Sequence, residues 1–222
     1  MSASCSDLVA VILAGGRGSR MEPWQAPKCL LPIAGVPILH RVIQHLSGQH
    51  VEEIVVAVGY RSADVIRALR GLLGAEQTSD AGEDVSMCAR IFHAIRERAI
   101  DGPILVCYGD ELADVDVSQL LSQHERLGTS ATITVHGERQ PFGEVEMMPG
   151  GRLCKLEEKP LRWINIGFAV LEPAAYAQMT AEEDFADFIG RLDSDVGTYI
   201  HQGRRATVNT PADIARAEEV WK

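Results

Sequence analysis

Cysteine is scarce and irregularly placed in this chain. Among 222 residues there are five cysteines, at positions 5, 29, 88, 107 and 154, and no two of them form a Cys-x-x-Cys pair. An odd count without paired spacing argues against a disulfide framework and against a structural zinc site. Several of these cysteines lie in apolar runs, where cysteine is a small core residue. The sequence therefore predicts a protein of a reducing, cytoplasmic compartment.

Basic charge is also in short supply. Lysine and arginine total 21 against 31 aspartates and glutamates, which gives a formal net charge of −10. A nucleic-acid partner would favour a basic stripe, so none is expected. Phosphate-bearing small-molecule substrates remain compatible with this negative net charge, because a pocket can be locally positive inside an acidic protein.

Long hydrophobic runs are absent. The first apolar run, residues 8–14, ends in a glycine cluster and has no basic residue before it. It is too short to span a membrane and does not resemble a signal peptide, so no membrane partner is expected. A hydrophobic content of 46% suits a single α/β domain.

What the first half does contain is an alternation of strand and helix patterns. Residues 8–13, 54–58 and 104–108 are continuous apolar runs typical of strands buried on both faces. Helical patterns lie between and after them, at residues 37–46, 62–73 and 85–98. This order predicts a doubly wound, mostly parallel, Rossmann-like α/β sheet with helices on both faces.

The second half has a different pattern. Asp116 and Gln119 form a capping box for a helix that ends near residue 127, and Thr210 begins a final helix. Strands are predicted at residues 131–135 and 164–171, and a small antiparallel hairpin at residues 144–156 around Pro-Gly-Gly. Without repeats or linkers, residues 1–222 are predicted to form one domain with two halves, about 1–116 and about 117–222.

A glycine-rich turn follows the first strand, with the sequence LAGGRGSRM at residues 13–21. Its three glycines allow a sharp turn that exposes backbone N–H groups to an anion, and two arginines add charge, which suits a triphosphate. Met21 replaces the third glycine of a dinucleotide fingerprint, which disfavours a dinucleotide-dependent oxidoreductase, and no P-loop lysine follows. Taken alone, the segment is also compatible with an ordinary strand-to-helix turn.

The next motif, PKCLLPIAGVPIL at residues 27–39, makes the pattern specific. With the glycine turn it resembles the nucleoside-diphosphate-sugar pyrophosphorylase family. The resemblance implies that Lys28 contacts phosphate at the reacting centre and that Arg20 holds the triphosphate, although the spacing between the two is shorter than is usual in the family. It further implies nucleotide contacts from Leu13, Ala14, Gly15 and Gly16.

The third apolar strand ends in Gly109-Asp110. Ligand sites of open α/β sheets lie at the carboxyl ends of strands, and a triphosphate reaction needs a divalent cation. The family has a metal-binding aspartate at this strand end, so the resemblance assigns Mg²⁺ to Asp110. A second family aspartate corresponds to Asn209, whose amide offers only a neutral oxygen to the cation.

Three short motifs follow in the second half: Phe-Gly at 142–143, Glu-Lys-Pro at 158–160 and Asn-x-Gly at 165–167. In this order they are similar to the family's sugar-phosphate pocket. The resemblance assigns Gly143 and Glu158 to the sugar, Lys159 to its phosphate and Asn165 to a hydroxyl group. The alternative for Glu158 and Lys159 is a solvated charge pair at a strand end.

Residues 80–90, DAGEDVSMCAR, are similar to the base-binding segment of glucose-1-phosphate cytidylyltransferases. This similarity places Gly82 and Arg90 in substrate binding and favours CTP, although Cys88-Ala89 replaces the glycine pair of that subgroup.

The sequence thus predicts an enzyme that joins a nucleoside triphosphate to a sugar 1-phosphate with release of pyrophosphate, acting as a monomer or a homo-oligomer. Three alternatives stay open: UTP or GTP as donor, a non-sugar phosphate or phosphonate as acceptor, and a catalytically silent sugar-nucleotide-binding regulatory protein. In a regulatory protein of this kind, Asn209 in place of aspartate would be the sign of lost metal binding.

Overall fold

The computed structural model describes residues 4–18, 24, 26–74 and 77–222. Its helices are α1 Ile38–Gly48, α2 Ser62–Ala68, α3 Met87–Glu97, α4 Val117–Leu127, α5 Pro173–Tyr176, α6 Phe185–Arg191 and α7 Pro211–Val220. Its strands are β1 Val9–Leu13, β2 Pro32–Ile33, β3 Val36–Pro37, β4 Glu53–Val58, β5 Thr78–Asp80, β6 Ile104–Tyr108, β7 Glu111–Ala113, β8 Ala131–Arg139, β9 Glu144–Met147, β10 Leu153–Glu157, β11 Leu161–Leu171, β12 Val196–Ile200 and β13 Arg205–Thr207.

A seven-stranded sheet forms the centre of the molecule, in the order β12-β8-β11-β6-β1-β4-β5. Strand β1 lies between β4 and β6 and is parallel to both, and β5 continues the parallel part beyond β4. Strand β11 is antiparallel to β6 and β8, while β12 is parallel to β8. The predicted mostly parallel sheet is therefore confirmed, with one reversed strand between its two parts.

Both faces of the sheet are covered, as the continuous apolar runs predict. In β1, Ala10 and Ile12 lie in one core, which receives side chains from α1, α2, α4 and α7. Val11 points to the opposite face, where α3 supplies Ala94. Because successive strand residues point to opposite faces, an unbroken apolar strand needs a helical layer on each side. The doubly wound arrangement is confirmed.

Helix ends follow the predicted caps in the second half of the chain. Asp116 accepts a hydrogen bond from the backbone N–H of Gln119 at the start of α4. Thr210 and Asp213 form a capping box at the start of α7, with Pro211 in the first turn. Helix α2 ends at residue 68, short of the predicted 73, and the chain turns through Gly71, whose φ is +85°.

The predicted hairpin is present as the separate two-stranded sheet β9–β10. Several elements were not predicted: the helices α5 and α6, the short strands β2, β3 and β5, the edge strand β12, and a short antiparallel pair formed by β7 and β13. The pair joins residues 205–207 to residues 111–113, just after the end of β6. It thereby brings a late segment of the chain to the carboxyl end of the central strands.

No helix in the described part of the chain is long and apolar enough to cross a bilayer.

Candidate functional site

A cavity of about 650 Å³ opens at the carboxyl ends of β1 and β6. Segments from both halves of the chain contribute to its wall. The lining residues are Leu13, Ala14, Gly15, Gly16, Arg17, Gly18, Lys28, Cys29, Glu83, Asp84, Val85, Met87, Arg90, Tyr108, Asp110, Glu111, Asn165, Arg205, Thr207 and Asn209. Nine of the fourteen residues predicted for the site are among them, which agrees with the rule that open α/β sheets bind ligands at this edge.

The glycine turn lies directly against the guanidinium group of Arg90. A Cβ atom on Gly15 would be 2.3 Å from Nη1 of Arg90, so a larger residue there would have to displace the Arg90 guanidinium. Arg90 is buried and donates hydrogen bonds to the carbonyl oxygens of Val58 (2.8 Å), Gly82 (2.7 Å) and Glu83 (2.6 Å). Burial lowers the pKa of this guanidinium. Arg90 therefore fixes the segment after β5 against the turn.

Arg17 makes a second connection across the same part of the cavity. Its guanidinium pairs with Glu83 at 3.0 Å and Asp84 at 2.8 Å, and lies 4.9 Å from the centre of the Tyr60 ring. The glycine-turn motif includes Arg17, but no sequence pattern marks these partners, which follow 66 and 67 residues later. Arg20 lies outside the described residues.

Lys28, Asp110 and Asn209 meet on the floor of the cavity. The Lys28 ammonium lies 2.7 Å from Oδ2 of Asp110 and 3.1 Å from Oδ1 of Asn209. Asp110 is presented by Gly109, whose N–H donates to the Leu13 carbonyl at 3.0 Å. A Cβ at Gly109 would be 2.8 Å from that oxygen, so the close approach of β6 to β1 requires glycine. Three residues far apart in sequence thus form one charged cluster.

Asp110 and Asn209 suit a magnesium ion that is shared with phosphate groups. Their oxygens converge on a single cation, the Lys28 ammonium, so both can face one positive charge. Within the described residues no three His, Cys, Asp or Glu side chains converge as a metal-binding group. Mg²⁺ is commonly held by one or two protein oxygens together with water and substrate phosphates. The residues present fit that mode of binding.

Asn165 and Tyr108 line another part of the wall. Asn165 accepts a hydrogen bond from the Gly167 N–H at 3.0 Å, and its amide nitrogen lies 3.5 Å from the Tyr108 hydroxyl. Burial raises the pKa of Tyr108 to about 12. The phenol therefore stays protonated and can act as a hydrogen-bond donor or acceptor at neutral pH.

A buried ion-pair cluster that the sequence analysis missed stands beside Asp110. The Arg205 guanidinium contacts Glu111 and Glu138, each at 2.5 Å, and Thr207 donates to Glu111 at 2.8 Å. The side chains of Arg205 and Glu111 are only 11% and 7% exposed. Burial raises the pKa of Glu111 to about 7, although Arg205 and Thr207 act in the opposite direction. No motif marks these residues, because the β7–β13 pair that joins them spans three residues on each side.

A second cavity of about 440 Å³ adjoins the first. Arg205, Thr207 and Asn209 line both cavities, and the second is completed by residues of β8, β11 and α7. Arg205 thus stands at the junction of the two spaces.

Three of the predicted acceptor residues lie outside the wall of the main cavity. Gly143 and Glu158 are adjacent, because a Cβ on Gly143 would be 3.0 Å from Oε2 of Glu158. Lys159 is exposed and has a left-handed backbone, with φ of +47°. All three flank the β9–β10 hairpin. Gly82 also lies outside the wall, and its carbonyl is bound by Arg90.

Comparison with known proteins agrees with this geometry. A family model described as "MobA-like NTP transferase domain" matches residues 10–195, which is most of the chain. The chain belongs to this family. Membership confirms the predicted enzyme class, a nucleotidyltransferase, and the resemblance on which that prediction was based.

Relatives within the family include several sugar-1-phosphate nucleotidyltransferases. A Salmonella typhi protein named glucose-1-phosphate cytidylyltransferase is 26% identical over 197 residues, covering 74% of this chain and 75% of its own length. A Mycobacterium tuberculosis protein named mannose-1-phosphate guanylyltransferase is 26% identical over 225 residues, covering 93% of this chain. The chain spans 62% of the latter's length and 61% of the length of a related Sulfolobus acidocaldarius protein.

The fold is shared with HddC from Yersinia pseudotuberculosis, whose structure was solved as a complex with GMP-PN. The two superpose with a TM-score of 0.74 at 20% identity, over 97% of this chain and all of the other. This likeness shows that the two chains share one fold.

Proposed function

We propose that this protein transfers a nucleoside monophosphate from a nucleoside triphosphate, preferably CTP, to a sugar 1-phosphate and releases pyrophosphate. The observation that carries the proposal is the cluster of Lys28, Asp110 and Asn209 at the floor of a cavity bounded by the glycine turn. A cation and two oxygen ligands next to exposed backbone suit a triphosphate and its metal ion. The first half of the chain, about residues 1–116, would hold the nucleotide. The second half, about residues 117–222, would hold the acceptor.

In this proposal, the acceptor phosphate attacks the α-phosphorus of the nucleotide in line. A new P–O bond forms there as the bond to the bridging oxygen of the pyrophosphate group breaks. No covalent enzyme intermediate is needed, because reactions of this type can proceed through positioning and charge neutralisation. Lys28 would stabilise negative charge at the reacting phosphate, and Arg20 would hold the departing pyrophosphate.

Mg²⁺, when bound by Asp110 and Asn209, would supply positive charge to the triphosphate. For this to occur, the Lys28 ammonium has to separate from the two oxygens that it now contacts. Phosphate groups in the cavity provide alternative partners for that ammonium. We infer that the same two oxygens serve the lysine in the free protein and the cation in the loaded one.

The acceptor end of the cavity includes Asn165 and Arg205. The amide group of Asn165 suits a sugar hydroxyl, as the resemblance implies, and Gly143, Glu158 and Lys159 would contribute from the hairpin side. Arg205 adds a cation that the resemblance did not include, and its guanidinium can offer further N–H groups to a phosphate.

The preference for CTP rests on the similarity of residues 80–90 to cytidylyltransferases, and on the hydrogen bonds by which Arg90 fixes Gly82 and Glu83 beside the glycine turn. The relatives of this chain include proteins named for cytidylyl transfer and for guanylyl transfer.

The decisive experiment measures pyrophosphate release for the four ribonucleoside triphosphates and thymidine triphosphate against a panel of sugar 1-phosphates. We expect turnover with a sugar 1-phosphate and Mg²⁺, fastest with CTP, and none without the acceptor. A preference for another nucleotide would overturn only the CTP assignment. Absence of pyrophosphate with every pair, in protein that binds nucleotide, would contradict the reaction itself.

A second candidate function is supported by Asn209, whose neutral amide stands where the family has a carboxylate. A silent regulatory protein would bind a sugar nucleotide without turnover. If loss of a metal ligand silenced the site, Asn209→Asp should create Mg²⁺-dependent pyrophosphate release, while Asn209→Ala should not. Turnover by the unchanged protein would exclude this candidate.

A further inference from the structure

Exposed apolar side chains are concentrated in one short part of the chain. Among the described residues, eight of the fourteen large hydrophobic side chains that face solvent lie within residues 142–163. They are Phe142, Val145, Met147, Met148, Leu153, Leu156, Leu161 and Trp163. The most exposed are Phe142 at 78% and Met147 at 69%. We call residues 140–163 the arm; it contains the β9–β10 hairpin and the start of β11.

The register of the hairpin separates its apolar and charged side chains onto two faces. Val145 is opposite Leu156, and Met147 is opposite Leu153. Directly opposed residues of an antiparallel pair point to the same side. A bulge between Leu153 and Lys155 keeps Leu153 on the side of Leu156 despite their spacing of three residues.

The other face carries the charges. Glu144 is opposite Glu157, and Glu146 is opposite Lys155. Lys155 pairs with Glu157 at 2.7 Å, and Arg162 pairs with Glu144. These ion pairs keep the charged face solvated, so the apolar face is left as the surface that needs a cover.

The apolar face of the hairpin has the size of a patch that is often functional. From their exposed fractions, Val145, Met147, Leu153 and Leu156 together present on the order of 450 Å² to solvent, against 300–600 Å² for the largest patch of a typical monomer. A standard stable interface buries about 800 Å² on each partner, of which about 65% is apolar in homodimers. An isolated two-stranded hairpin is also marginally stable in water, so a permanent cover is expected.

The charge of the arm is suited to self-association. Within residues 140–163 there are four acidic and four basic residues, whereas the whole chain has a net charge of −10. Two copies that meet through their arms therefore bring together the part of the surface where their mutual repulsion is smallest.

We propose that the apolar face of the arm is the interface with a second copy of this chain, in a twofold-symmetric homodimer. In such an interface the same patch serves both subunits, so Val145, Met147, Leu153 and Leu156 of one arm pack on their counterparts. The proposal does not rest on the nucleotidyltransferase reaction, because none of these four side chains lines the cavity.

The test measures the mass of the full chain by light scattering after size exclusion, over a concentration series. We expect twice the 24.2 kDa of one chain. Leu156→Glu places a charge at the centre of the interface and should raise the dimer dissociation constant at least tenfold. Val145→Thr with Leu156→Thr removes apolar area while keeping residues that favour strands, and guards against loss of the hairpin fold.

Lys155→Gln is the matched control, because it makes the same change of one charge unit on the opposite face. It should leave the dimer intact, and circular dichroism should show an unchanged fold in all variants. A monomeric wild-type chain would overturn the proposal, as would a dimer that both apolar-face variants retain. A monomer that co-sediments with phosphatidylcholine–phosphatidylglycerol vesicles would assign the face to a lipid surface instead.

Discussion

Lys28 and Asp110, which are 82 residues apart in the chain, form an ion pair with 2.7 Å between Nζ and Oδ2. The lysine side chain is 10% exposed and the aspartate 40%, so the pair joins the protein interior to the cavity. Asn209 accepts from the same ammonium at 3.1 Å. This contact balances the charge of the Asp110 carboxylate.

Asp110→Asn should lower turnover by about two to three orders of magnitude, because it removes the one carboxylate of the cluster that can hold the cation. The substitution preserves shape and the hydrogen-bond acceptor for Lys28, so the circular dichroism spectrum should not change. Pyrophosphate release at saturating substrate, over a Mg²⁺ titration, is the measurement. Unchanged turnover in the variant would remove Asp110 from the chemistry.

The fold was largely predictable from local patterns. The central strands have unbroken apolar runs, and α4 and α7 have explicit caps at Asp116 and Thr210. Strand β12 escaped prediction because its burial alternates weakly along VGTYI, and it is an edge strand with a partner on one side. Edge strands carry less hydrophobic signal than buried ones.

The candidate site was predictable only where a motif marks it. Lys28 and Asp110 stand in recognisable motifs, and the structure brings them together. Arg17 and Arg205 find carboxylate partners 66 to 94 residues away in the chain. Such long-range pairs depend on strand order and on the β7–β13 contact, which a single sequence does not reveal.

Arg205→Ala should impair both stability and acceptor binding. Glu111 would lose the guanidinium that its carboxyl contacts, and a hydrogen bond to a charged group contributes about 1.5–3 kcal/mol. Because Arg205 lines the cavity beside Asn209, the KM for the acceptor should rise at least tenfold while that for the nucleotide changes little. Urea unfolding and steady-state kinetics separate the two effects.

Arg216→Ala is the control for the same truncation, since Arg216 is 81% exposed and lines only the second cavity. Its unfolding free energy should change by less than about 0.5 kcal/mol. Arg205→Lys keeps the charge and should recover part of the stability. An acceptor KM that stays at the wild-type value in Arg205→Ala would show that the cluster is purely structural.

Glu111 should make the protein less stable as pH rises. Its carboxyl has a pKa of about 7 in the folded protein, against an ordinary value of 4.5, because burial disfavours the charge. The folded state therefore binds this proton more tightly than the unfolded state, and the free energy of unfolding falls between pH 4.5 and pH 7, by up to about 3 kcal/mol.

Glu111→Gln should flatten this part of the pH profile, as measured by urea unfolding at several pH values. Glu138→Gln, whose carboxylate is 49% exposed, should leave it unchanged. A profile with the same slope in Glu111→Gln would assign the pH dependence to other groups.

Gly15→Ala and Gly16→Ala should differ sharply although the two glycines are neighbours. A Cβ at Gly15 would be 2.3 Å from Nη1 of Arg90, whereas a Cβ at Gly16 meets nothing within 4 Å among the described residues. Arg90 cannot move aside without losing hydrogen bonds to Val58 and Gly82, which share its Nη1.

Hydrogen bonds to charged groups contribute about 1.5–3 kcal/mol each, so Gly15→Ala should lower the unfolding free energy by at least about 2 kcal/mol. Release of the Gly82 segment should also weaken nucleotide binding at least tenfold in calorimetric titration. Gly16→Ala should stay within about 0.5 kcal/mol of the wild type, because its methyl group meets nothing among the residues that the structure describes. Equal stability of the two variants would mean that Arg90 has an alternative position beside the turn, and would remove it as the element that holds the 82–83 segment in place.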